Sequence, residues 1–158
     1  MRKITRRQAL HAALAVAIGA GFVMRRSAAA AANLVATPQQ PAVVPLAANA
    51  AAGAELLDIH VRAFTPPRRG SVEAVVSLGP AGKEIEVGRF AVFPSEAFRA
   101  AKAADQRTFR LNAGAALSAS RGAPLVVQLR LVPTDDKISA EGASLTIDRI
   151  ELVARPAP

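Results

Sequence analysis

Residues 55–154 predict an all-β domain, an antiparallel β-sandwich or small barrel of about six to seven strands. Three observations carry this. Six short runs alternate apolar and polar residues with a period of two, the signature of half-buried strands. Pro, Gly and polar clusters separate the runs at sandwich-like spacing. The chain has no Cys, Trp or Tyr, and its aromatics are all Phe, so the core must be built from Leu, Val, Ile and Phe with no disulfide framework.

Two segments precede that domain. Residues 1–32 read as a helical export signal. Arg2, Lys3, Arg6 and Arg7 form a basic head, and Ala12 to Val23 form an apolar run too short to span a bilayer. Thr5, Arg6, Arg7 and Leu10 match a twin-arginine signal, an address read by an export receptor, so the membrane is met only transiently. Ala9, where a bulkier residue is common, leaves a general secretory signal open, and Arg25 and Arg26 leave an uncleaved anchoring helix open. The small residues of "SAAAAANLVA" offer several bonds for cleavage. Localisation is then periplasmic or secreted. Residues 33–54, rich in Ala, Pro and Gln and without charge, read as a disordered linker with too few large apolar groups to offset ordering entropy.

The strands follow in order. "LLDIHVRAF" places Leu57, Ile59, Val61 and Ala63 on one face and Asp58, His60 and Arg62 on the other, and ends at "TPPRRG". "SVEAVVSLG" turns Val72, Ala74, Val76 and Leu78 inward. "KEIEVGRFAVF" turns Ile85 and Val87 inward, with Gly88 at a bulge or bend. "QRTFRLN" is a shorter strand, and "PLVVQLRLV" alternates Leu125, Val127, Leu129 and Leu131 against Gln128 and Arg130. "SLTIDRIELV" changes parity across Asp148-Arg149, which predicts a turn or bulge there. Between them, "PSEAFRAAKAA", with Ser95 as N-cap, predicts a short helix, and "NAGAALSASRG" one helical turn stopped by Gly122. Residues 155–158 form a tail.

Charge excludes one function class. Six of the 20 basic residues lie at or before Arg26, which leaves 14 against 12 acidic residues in the mature region. That balance is no footprint for nucleic acid. No nucleophile motif and no phosphate-cradling glycine loop is present, and without Cys there is no thiolate for a metal or redox site. His60 is the one mature histidine; a ligand or proton shuttle is its sharper reading, but a lone imidazole is a poor metal site, so it reads as a solvent-facing or hydrogen-bonded strand residue. Asp135 and Asp136 read as a solvated loop, Arg68 and Arg69 as a solvated turn, and Glu84 and Glu86 as an exposed strand face. The expectation is a non-enzyme with no catalytic residue, metal ligand or cofactor of its own. Sugar binding is disfavoured too, because Trp and Tyr platforms are missing.

Three stretches carry a family resemblance. "LLDIHVRAF", then "VGRFAVF" with "TFRLNAGAAL", then "LVVQLRLVPTDDKISAEGASLTIDRIELV" together resemble the C-terminal domain of polyphenol oxidases, the tyrosinases and catechol oxidases, named for a Lys-Phe-Asp-Val motif. That motif falls on Leu56, Leu57, Asp58 and Ile59, with Asp58 retained and Leu57 and Ile59 as apolar replacements. Gly88, Arg89 and Phe90 resemble the family's Gly-Ser-Phe step, and Leu131, Val132, Pro133, Ile147, Ile150 and Leu152 resemble its closing strands. The likeness spans residues 55–153.

The resemblance implies a β-rich shield that packs over the mouth of a type-3 dicopper site and keeps the oxidase latent. The copper histidines belong to the catalytic domain, which this chain lacks, so the implied partner is a separate dicopper oxidase exported with it. The role also resembles that of the small caddie proteins of bacterial tyrosinases, without their His-rich stretches. Phe93 and Phe98 are the candidates for entering the partner's site, the alternative for both being core residues under a loop. A free-standing periplasmic sandwich with a structural or adhesive role is the competing reading.

Overall fold

A computed structural model describes residues 27–29, 34–46, 53–93, 95–120 and 123–155. Of the expected helical signal, residues 1–26, with Arg6 and Arg7, and 30–32 lie outside the described residues, as does the tail beyond Arg155; Ser27–Ala29 are not helical but extended, because they pair with Ile150 to Leu152 of the closing strand. Among the described residues, ten strands form two antiparallel sheets. The first joins β1 (Ser27–Ala29), β2 (Leu34–Ala36), β4 (Leu56–Thr65), β7 (Phe98–Arg99), β8 (Arg107–Asn112) and β10 (Ser144–Val153). The second runs β3 (Ala42–Leu46), β9 (Leu125–Pro133), β5 (Val72–Gly79), β6 (Ile85–Ala91).

Two long strands organise the first sheet. One edge of β10 takes β1 on Ile150 to Leu152 and β2 on Leu145 to Ile147. One edge of β4 takes β8 on Leu56 to Val61 and β7 on Ala63 and Phe64. With each short pair counted as one strand position, the sheets read 1-8-3-6 and 2-7-4-5 along the chain. That is the order of a jelly roll, two Greek keys folded face to face. The fold is therefore a β-sandwich and not a barrel.

Alternation built the core as the sequence predicts. Leu57, Ile59, Val61, Leu145, Ile147, Ile150 and Leu152 from the first sheet meet Val72, Ala74, Val76, Leu78, Leu125, Val127, Leu129 and Leu131 from the second, all buried. The parity change in β10 is a bulge. Asp148 is the extra residue, between Ile147 opposite Val61 and Arg149 opposite His60, and it lets both Ile147 and Ile150 point inward. A second bulge puts Val87 between Gly88 opposite Val76 and Glu86 opposite Ser77. Gly88 sits there at φ 157, with Leu111 Cδ2 only 3.0 Å from where a Cβ would stand.

Three further expectations need correction. Residues 34–46 are no disordered linker, because they supply the first two jelly-roll positions, and Ala36, Ala42, Val44 and Leu46 are buried in the common core. Edge strands need only one apolar row of their own, since the neighbouring strand supplies the rest of the contact. Exposed Pro45 suits the edge position of β3, where a missing N–H breaks no inner ladder. "PSEAFRAAKAA" forms no α-helix. Phe98 pairs with Phe64, the Ala100 N–H donates to Arg62 O at 2.7 Å, and the β4 edge thereby holds the segment extended up to a 3-10 turn at Ala103–Asp105. Ile85 lies at the start of the outer strand β6 and is 48% exposed instead of inward. The expected turn in "NAGAALSASRG" is the helix α1 (Gly114–Ala119), which buries Ala116 and Leu117.

Candidate functional site

Where β6 ends, alternation carries one more step. Val92 is buried, and Phe93 then stands outside with 84% of its surface exposed, far above any other large apolar residue among those described. A phenyl ring in water gains nothing for the fold, so its placement must follow from the backbone beneath it. Arg107, at the start of β8, grips that backbone: its Nη1 donates to Phe93 O at 3.1 Å. The same guanidinium lies 4.1 Å from the centre of the Phe98 ring, close enough for a cation–π contact. Phe98 itself is half-buried and packs on the core. The two candidate rings thus occupy different places. Phe93 projects, and Phe98 is an anchor.

The motif residues are structural. Leu57, Ile59, Ile147 and Ile150 are fully buried, and Pro133 closes β9 opposite Val72. Phe90 stacks on Phe109 across the two sheets, with centroids 4.0 Å apart and planes 16° from parallel. Asp58 is the exception in kind. It is 5% exposed although it lies on the outer face of β4, and it accepts two hydrogen bonds of 2.7 Å from Arg110 Nε and Nη2. This fork ties β4 to β8 and raises the affinity of the Arg110 guanidinium for its proton.

Beside it on the same face lies His60. Its Nδ1 shares a 3.0 Å hydrogen bond with Thr108 Oγ1, while the buried Nε2 faces Glu151 Oε2 at 3.6 Å without a hydrogen-bond partner. Glu151 is held in turn by Arg149 Nε at 2.9 Å, and Arg149 also donates to Gln106 Oε1 and Asp148 Oδ2. Burial pushes the imidazole below its usual 6.5, and Arg149 adds to that; Glu151 and Asp58 pull the other way without prevailing. Of the two plain readings, His60 is therefore the hydrogen-bonded strand residue and not the solvent-facing one, in a charged ladder that joins β4, β8 and β10.

The remaining candidates stay apart. Asp135 Oδ1 accepts from the Lys137 N–H at 2.9 Å, within an exposed turn. Arg68 and Arg69 are exposed. Glu86 forms an outer ion pair with Arg89, whose bonds hold the Glu86 carboxyl below the usual range, whereas Glu84 is half-buried and caps Gly82 N–H. Among the described residues no group of three or more His, Cys, Asp and Glu side chains could hold a metal ion, and no helix is long and apolar enough to cross a membrane. Arg107 escaped the sequence reading, because nothing in the alternation of "QRTFRLN" distinguishes a clamp from any other strand-end arginine.

No protein-family model matches the chain, and comparison with curated proteins returns no match.

Proposed function

We propose that this chain is a non-catalytic accessory protein that covers a partner dicopper polyphenol oxidase, keeps it latent and stable, and accompanies it through export. The observation that carries the proposal is Phe93: a single phenyl ring held out from a closed sandwich is the shape needed to plug the mouth of another protein's site. The resemblance over residues 55–153 supplies the partner class, with copper in the partner and none on this chain. Around the plug, a stable complex needs about 1,200–2,000 Å² of total buried surface, which a sandwich end with its loops can provide.

Burying one Phe side chain contributes about 1.5–3 kcal/mol, or roughly tenfold to a hundredfold in affinity. Phe93→Ala should therefore release phenol-oxidising activity from a co-purified complex while leaving the melting curve of the isolated chain unchanged. Unaltered latency in that variant would remove Phe93 from the cover. If no oxidase is retained by the unmodified chain, the covering reading itself fails and a structural or adhesive sandwich takes its place.

A further inference from the structure

The geometry points to Arg107 as a positioning residue that ties Phe93 to Phe98, so that Phe93 is presented already ordered for insertion. This rests on the covering role for its purpose, but not for its physics. Arg107 grips Phe93 and Phe98 at once, through the hydrogen bond to Phe93 O at 3.1 Å and the cation–π contact over the Phe98 ring at 4.1 Å. Phe98 is fixed by the core and by its pairing with Phe64, so the guanidinium stands on a firm base. Val92, buried one residue before the tip, fixes the other side.

The consequence is energetic. A loop that must be ordered on binding loses affinity to conformational entropy, and one held in its bound shape keeps it. Lysine replaces arginine here only in part, because the planar guanidinium lies over the ring and donates to the carbonyl at the same time, whereas the compact ammonium can donate but cannot stack.

The chain contains no Trp, so Phe93→Trp places a single reporter on the tip. Time-resolved anisotropy of that variant of the full chain, with no partner present, reads the tip's local motion apart from tumbling. With Arg107 intact, the fast local component should be small. Arg107→Ala should enlarge it, Arg107→Lys should restore order only in part, and Phe98→Leu should enlarge it from the opposite side while keeping an apolar side chain on the core. If Arg107→Ala unfolds the domain, the Phe98→Leu comparison decides. Equal local motion with and without the staple overturns the inference whether or not an oxidase binds; a freed tip alongside no captured oxidase refutes the covering role and leaves the staple standing.

Discussion

Val43 and Val44 are chemically identical neighbours in β3, and the fold assigns them opposite fates. Val43 is 45% exposed on the outer face, whereas Val44 is 2% exposed opposite Val127 in the core. Val→Ala removes two carbons. At about 0.8 kcal/mol for each buried methylene the transfer loss is about 1.6 kcal/mol, and the cavity left between the sheets brings Val44→Ala to roughly 2–3 kcal/mol. Val43→Ala should stay within about 0.5 kcal/mol of the parent, as exposed substitutions do. Urea unfolding followed by circular dichroism reads both, and with a slope of about 1–3 kcal/mol per molar the Val44 variant should shift its midpoint by about 1 M. Two neutral variants would mean that residues 34–46 are a tether after all. Two equally damaging ones would refute the alternation in β3.

Other outcomes follow from the same contacts. Because His60 is held below 6.5 in the fold, the unfolded chain takes up the proton more readily. Stability should therefore be full above pH 6.5 and fall as the pH drops through and below that value; His60→Gln should flatten this part of the pH profile, and an unchanged profile would contradict the burial argument. Arg110→Ala leaves the buried Asp58 carboxylate without its two donors and should cost about 1–2 kcal/mol by denaturant unfolding, less at high salt. Gly88→Ala meets Leu111 at 3.0 Å in an unfavourable backbone region and should cost about 1 kcal/mol or more, again by unfolding; a neutral result would show that Leu111 yields freely.

Six strands were legible because each carries its own apolar row: Leu57 to Val61, Val72 to Leu78 and Leu125 to Leu131 announce a face without help from neighbours. The bulges were legible too, since Gly88 and the Asp148-Arg149 parity break disturb an otherwise regular period. β2 and β3 were hidden by economy. "LVA" and "AVVPL" bury only Ala36, Ala42, Val44 and Leu46, and uncharged Ala- and Pro-rich flanks disguise them as linker. Their partners, β10 and β9, lie about 80 residues or more away in the chain, and such long-range pairing leaves no local trace. Phe98 misled for the related reason that a place beside Phe64 outweighs the helix propensity of the alanines after it.

The covering role stands or falls on one assay: co-expression of the full chain with a dicopper oxidase encoded beside it, affinity capture, and phenol oxidation measured before and after limited proteolysis. The expected result is a copper-loaded complex that is silent when intact and becomes active once the covering chain is cut away or carries Phe93→Ala. Capture of no oxidase, or of one already fully active in the complex, contradicts it.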